Sequence, residues 1–319
     1  MINRRNFLIQ TGKAVGAAGV FGNTAWWFSR SRATRSIHST FSLKDYSVSE
    51  AIDLPGLGIT KGTNPEELVH RSIDAIGGIE RFVNPGDVVL IKPDAAFARP
   101  PSLAATTNPD VVRAVVKLCV RAGAKRTIVT DHPIHSFERC FERNGIGQAV
   151  MDAKGELWIP STSDFHRVDL GGWVLGSELV YAQPLIEATK LIGIPTAKVH
   201  TLCGASLAMK NWYGLLGEGR NRLHQEIHTA IADLCQAFQS TLIVLDATRL
   251  LLRNGPTGGS PSDVVEGHTV CCGTDPVAID TYGSELLQMR KFCHYLSLAE
   301  ERSLGVTDWR SLYPKEIIL

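Results

Sequence analysis

Two hydrophobic periodicities alternate along this chain. Short apolar runs occur at Val88–Ile91, Leu191–Ile194 and Leu242–Leu245, and Thr127–Thr130 and His268–Cys272 read as strands of similar length. Runs of this length bounded by turn residues predict buried strands. Between them apolar residues recur at helical spacing. Leu68, Val69, Ile73 and Ile76 follow Asn64-Pro65-Glu66-Glu67, which supplies a cap, a first-turn proline and early acids, and Gly77-Gly78 ends that helix. The same cap logic starts a helix at Asn108-Pro109-Asp110, ended by Gly123, and another at Asp275-Pro276 running to about Leu287. Further helices are expected over Ser136–Asn144, over His224–Phe238 with Ile227, Ile231, Leu234, Cys235 and Phe238 on one face, and over Tyr295–Ser303. The strand, loop, helix and strand between 88 and 130 make a βαβ unit, which demands parallel strands and a right-handed crossover. The fold class is therefore α/β: a mostly parallel, Rossmann-like sheet flanked by helices. A smaller, partly antiparallel insertion is expected around 155–182, where short β runs flank Gly171-Gly172.

The pattern breaks down before residue 61. Residues 1–35 hold Arg4, Arg5, Lys13, Arg30, Arg32 and Arg35 and no acid. Arg4-Arg5-Asn6-Phe7-Leu8 followed by a Gly/Ala-rich, weakly apolar segment resembles a twin-arginine export signal. It predicts a periplasmic or otherwise exported protein, with the twin-arginine export machinery as a transient partner. Membrane contact is expected only through this N-terminal segment, if it stays uncleaved, with Trp26, Trp27 and Phe28 at the interface. Residues 36–60 read as linker and lead-in and 61–319 as one α/β domain, with two lobes dividing near 155–185 as the alternative.

Composition narrows the function classes. The formal net charge is +1, but the cations of the first 35 residues account for it and the body is mildly acidic. Such a body argues against nucleic-acid binding, which needs clustered cations. Seven cysteines show no C-x-x-C pair and read as small buried apolar side chains. Adjacent Cys271 and Cys272 on a strand would point to opposite faces.

Candidate chemistry collects at four expected strand ends: Lys92 with Asp94, Asp131 with His132, Lys198 with His200, and Asp246. Any one alone reads equally well as a loop residue that solvates a strand end. In a parallel sheet, however, the carboxyl ends share one edge, and ligands bind there. Just beyond Lys198 and His200, Lys210 and Asn211 ride on a short helix. We therefore expect one pocket for a small anionic ligand. Lys198, Lys210 and His200 carry the chemistry, with His200 as acid/base near neutral pH. Lys92, Asp94, Asn211, Asp131 and Asp246 line the site. A helix start near Gly204-Ala205-Ser206 and the loop of Gly255, Gly258 and Gly259 are further anion-wrapping candidates. No cofactor can be named. A divalent metal is the second candidate, on His224 and His228, four apart on one expected helix face and supplemented by His200 or Asp233. His132 and His135 form another spaced pair. His-Gln-Glu-Ile-His misplaces the acid of a zinc-protease motif, and no phosphate-binding glycine loop, dinucleotide fingerprint or nucleophile elbow occurs.

Five stretches carry a family resemblance: Val89-Leu-Ile-Lys-Pro-Asp94; Thr107-Asn-Pro-Asp-Val-Val112 with Ala122-Gly-Ala-Lys-Arg126; Ile194-Pro-Thr-Ala-Lys-Val-His200; Ala208-Met-Lys-Asn-Trp-Tyr-Gly214; and Gly273-Thr-Asp-Pro-Val-Ala-Ile-Asp280. In this order, over about residues 85–290, the chain resembles the family known as domain of unknown function 362. The resemblance implies no settled activity. Some relatives add a ferredoxin-like module with four-cysteine clusters; this chain lacks that cysteine pattern, so an iron–sulfur cluster is not expected. Where the family usually reads Lys-Pro-Asn, this chain has Lys92-Pro93-Asp94, which sets a negative charge beside Lys92. There is also a remote likeness, of fold only, to the amino-terminal domain of lactate racemases.

Overall fold

A ten-stranded mixed sheet organises the described residues, which are 42–49, 51–289 and 293–319 of a computed structural model. They all belong to one unit, Ser39–Leu319. The segment read as an export leader lies outside them. Among the described residues, no helix is long and apolar enough to cross a membrane.

The strands are β1 (Leu57–Lys61), β2 (Val88–Pro93), β3 (Arg126–Val129), β4 (Glu156–Leu157), β5 (Phe165–Asp169), β6 (Ser177–Tyr181), β7 (Lys190–Ile194), β8 (Thr196–His200), β9 (Gly204–Ser206), β10 (Leu242–Leu251), β11 (Val264–Gly273) and β12 (Lys315–Ile318). The sheet runs β12-β1-β11-β10-β7-β2-β3-β4, with β8 on β10 and β9 on β8. From β10 to β4 every pairing is parallel; β11 is antiparallel to both of its neighbours, and β9 to β8. The separate β5–β6 hairpin is the small antiparallel element.

The three Pro-started helices form for the reasons the sequence supplies. In α1 (Pro65–Ala75) the Asn64 side chain accepts from the N–H groups of Glu66 and Glu67. Asn108 does the same for Asp110 in α2 (Pro109–Arg121). The remaining helices are α3 (Phe137–Arg143), α4 (Ile146–Asp152), α5 (Ala182–Glu187), α6 (Ala208–Asn211), α7 (Ile227–Ala237), α8 (Pro276–Leu286) and α9 (His294–Glu301). In α8 the Asp275 carboxylate accepts from Val277 and Ala278.

Two hydrophobic clusters cover the two faces of the sheet. Val89, Ile91, Ile192 and Val244 pack on one side with α1 and α2, while Leu90, Leu191 and Leu245 pack on the other. Cys271 belongs to one cluster and Cys272 to the other, as alternation along β11 requires. All seven cysteines are buried and free.

Two expectations are corrected. The stretch read as lead-in up to residue 60 supplies β1, which sits between β11 and β12 with Leu57 and Ile59 fully buried. Residues 204–206, taken as a helix start, form β9 instead. There Gly204, with φ of +86°, turns the chain back on β8.

The β1–α1 contact is close enough to test. A Cβ on Gly58 would lie 2.0 Å from the Ser72 carbonyl oxygen. Replacing Gly58 by valine must push α1 off the sheet, and we expect a loss of about 2–4 kcal/mol in urea unfolding, with the midpoint shifted accordingly.

Candidate functional site

Lys92 ends β2 inside the protein, where an unpaired ammonium would be costly to desolvate. Its Nζ lies 3.1 Å from Asp131 Oδ1, just beyond β3, and donates to Asn211 Oδ1 of α6 at 2.6 Å. Asn211 returns a bond from Nδ2 to the Lys92 carbonyl at 3.0 Å. Asp131 is completed by the N–H groups of Ala95 (2.8 Å) and His132 (2.9 Å). Burial holds Lys92 below the usual lysine range, and the charges of Asp131 and Asp94 oppose that shift.

A second buried pair lies alongside. Lys198, on β8, meets Asp94 Oδ2 at 2.7 Å, donates to the Ala105 carbonyl at 2.6 Å, and stands 5.0 Å over the Phe97 ring. Burial alone would raise Asp94. The Lys198 and Lys92 charges outweigh it and hold the carboxyl below its ordinary range. Asp94, which sets a negative charge beside Lys92, thus has its own partner in Lys198.

Lys210, on α6, differs from both. It is half-buried, sits 4.6 Å over the Tyr213 ring, and has no carboxylate partner among the described residues. Desolvation, with Lys198 and Arg220 nearby, pulls its pKa down to about 8. His200 is pushed further, to about 3, first by burial and then by Lys210, Lys198 and His224. It is therefore a neutral imidazole at pH 7, the reverse of the expected titration near neutrality. The Leu202 N–H donates to His200 Nδ1 at 3.2 Å, which leaves the proton on Nε2 as a donor.

These groups surround an open cleft of about 370 Å³. Lys92, Lys198, Lys210 and Arg220 set four cations against the carboxylates of Asp94 and Asp131. The wall therefore carries a positive excess and can hold an organic anion.

Of the residues expected from sequence, Lys92, Asp94, Asp131, Lys198, His200, Lys210, Asn211 and His224 line this cleft. Asp246 does not. Strand β10 continues to Leu251, so Asp246 lies within it and not at its end. Its carboxylate accepts from the Asn108 N–H at 2.7 Å and the Thr248 hydroxyl at 2.6 Å, tying β10 to the start of α2. His224 and His228 do not share a helix. His224 sits in the 3₁₀ segment Arg220–Glu226, its ring 6.5 Å from that of His200, while His228 on α7 packs against His294 and Tyr295. His135 borders a neighbouring cavity instead. Pro256 and Thr257 bring the glycine-rich loop to the rim.

Sequence reasoning missed two residues. Arg220 donates to the carbonyls of Tyr213 (2.9 Å), Leu216 (3.1 Å) and His132 (2.7 Å), fastening the segment after α6 to the loop after β3. Its only signal was an arginine following Gly219. Asp280, on α8, accepts from the N–H groups of Ala208 (2.7 Å) and Met209 (3.2 Å) and so anchors α6, which carries Lys210 and Asn211. Burial raises its pKa to about 8.

Comparison with known proteins matches residues 89–285 to the family described as "Domain of unknown function (DUF362)". A thylakoid-associated protein of Synechocystis is 24% identical over 268 residues, 77% of this chain and 79% of its own. Among solved structures, the lactate racemase apoprotein of Thermoanaerobacterium thermosaccharolyticum aligns with a TM-score of 0.40 at 12% identity. That alignment covers 77% of this chain and 58% of that one.

Two outcomes follow from this geometry. A Cβ on Gly214 would fall 1.9 Å from Asp131 Oδ1 and 2.6 Å from Lys92 Nζ. Gly214→Ala should split that buried pair and cost about 3–5 kcal/mol in chemical denaturation. Asp280 holds its proton in the folded state up to about pH 8, whereas an unfolded aspartate ionises near its model value of 3.8. The folded state therefore binds more protons between those values, and stability falls as pH rises across that window, by up to about 1.4 kcal/mol per pH unit. In Asp280→Asn the pH profile of unfolding should flatten by that one proton.

Proposed function

The chain belongs to the DUF362 family, and from its site we propose that it binds a small organic anion and acts on it as an enzyme. The observation that carries this reading is Lys210, an ammonium at the cleft wall that forms no direct ion pair among the described residues and feels Asp94 only at longer range, beside a histidine that is neutral. Lys92 and Lys198 are committed to Asp131 and Asp94, so they shape the wall and add to its potential. An anionic group paired with Lys210 takes charge out of the immediate surroundings of His200. Because Lys210 is among the causes that depress His200, such pairing raises the imidazole's basicity. The same event that binds the ligand thus favours uptake of a second proton from solvent at His200 Nδ1, in place of the Leu202 contact, and the resulting imidazolium can pass its Nε2 proton to the ligand and return to neutral. This places the acid/base role in the bound state.

A second reading, a non-catalytic protein for binding or assembly with a metal or redox partner, draws on the facing rings of His200 and His224. The positive excess of the wall works against a bare divalent cation there. Stoichiometric metal in protein purified without chelator, lost in His224→Ala, would favour it.

We further propose that the protein works outside the cytoplasm. The paired arginines of the leader support this, and the name of the thylakoid-associated relative is in keeping with a membrane-adjacent setting.

Calorimetric titration with acetate, pyruvate and inorganic phosphate tests the anion site. Lys210 is protonated below about pH 8, so affinity should be level below that value and fall by up to about tenfold per pH unit above it. Lys210→Met should weaken binding at least about tenfold at pH 7, the scale of one charge-assisted hydrogen bond. Affinity unchanged by both pH and the substitution would overturn the reading.

A further inference from the structure

Beside the cationic cleft lies a second cavity, of about 520 Å³. The two are continuous in one respect: His132 and Ile134 line both. The character of the wall changes across that seam. The second cavity is lined by Ile134, at the seam, and Ile159, large apolar side chains that are 65% and 53% exposed, together with Phe137, Phe165, Pro160 and Leu179. These residues come from separate parts of the chain: the loop after β3 with the start of α3, the loop after β4, and the β5–β6 hairpin. Two exposed isoleucines from separate loops, lining one cavity with Phe137 and Phe165, make a local concentration of apolar surface that scattered exposure does not produce.

The charges in this cavity are of the opposite kind. Glu138 and Glu218 line it, whereas lysines and Arg220 line the first. An anion is therefore favoured on one side of the seam and disfavoured on the other, while the second wall is mixed, with Ser136, Ser161, Thr162 and His135 beside its exposed isoleucines. The seam itself is firmly held. His132 Nδ1 meets the Leu216 carbonyl at 2.7 Å, its N–H donates to the Gly214 carbonyl at 2.9 Å, and its ring packs on Phe165 with centroids 4.8 Å apart. Burial lowers the His132 pKa, so the divider is uncharged at neutral pH.

We infer that the ligand is an amphipathic anion, a carboxylate or phosphate head held in the cationic cleft with an apolar tail that passes His132 and Ile134 into the second cavity. This rests on the anion-binding reading above and names the class of ligand that the site takes. The tail covers Ile134 and Ile159, and hydrophobic transfer, unlike the head's ionic contact, grows with chain length.

The experiment is a homologous series titrated calorimetrically into the full chain below micelle-forming concentrations: acetate, butanoate, hexanoate and octanoate, and in parallel methyl, butyl and octyl phosphate. Each methylene that enters the cavity should raise affinity by up to about fourfold. The better of the two arms identifies the head group. Ile159→Asp borders only the second cavity and should remove the dependence on chain length while the acetate affinity stays. Lys210→Met should weaken every member of the series. If the short members bind and the long ones bind no better, the second cavity is not a tail site and the anion reading stands without it. If long members bind wild type and Lys210→Met equally, the tail is adsorbing on its own and the inference fails. If no member of either series binds, the anion reading falls and takes this inference with it.

Discussion

The site depends on the cost of placing lysines on buried strands, Lys92 near the end of β2 and Lys198 within β8. Lys92 and Lys198 are each about 2% exposed, and an ammonium in that position persists only if matched within hydrogen-bonding distance. Each has its own aspartate, Asp131 and Asp94, and each also reaches a further oxygen, Asn211 Oδ1 and the Ala105 carbonyl. Meeting that demand ties β2, the loop after β3, β8 and α6 into one polar layer. Gly214 belongs to the same solution, because any side chain there would occupy the space of the Lys92–Asp131 pair.

Once these two lysines are matched, the functional asymmetry follows. Lys210 lies on the same layer without such a match, and its charge together with burial keeps His200 neutral. Among the described residues, the cleft sets the fixed Lys92 and Lys198 pairs around Lys210, an ammonium without a direct ion pair, and the neutral His200, an arrangement whose electrostatics change when an anion arrives. Asp280 and Arg220 hold this arrangement from behind, the first by capping α6 and the second by joining the chain after α6 to the loop after β3.

Much of the scaffold was legible in local patterns because its causes are local. Asn64, Asn108 and Asp275 cap helices through atoms two or three residues away, and Pro at the next position reinforces the signal. The alternation that sends Cys271 and Cys272 to opposite faces needs only strand geometry. Errors arose where a strand's length or a helix's continuity was decided by a distant partner. Strand β10 runs past Asp246 because β11 and β8 supply pairing as far as Leu251. The helical phase between His224 and His228 breaks because the chain is 3₁₀ up to Glu226 and α-helical only from Ile227.

By itself the sequence determined an α/β fold with a mostly parallel sheet, and hence that strand-end residues such as Lys92 and Asp131 share one edge; Lys198, read as following a strand end, lies within β8. Parallel pairing forces that convergence whatever the loops do. Which of those charges are spent on one another was decided only by tertiary structure. Ion pairing is a matter of a few ångströms between segments more than a hundred residues apart, as Asp94 and Lys198 are, and no local pattern encodes it. The same holds for the cleft's neighbour. Ile134 and Ile159 are unremarkable in sequence, and they become one apolar wall only because β3 and β4 lie side by side and set their following loops over the same hollow.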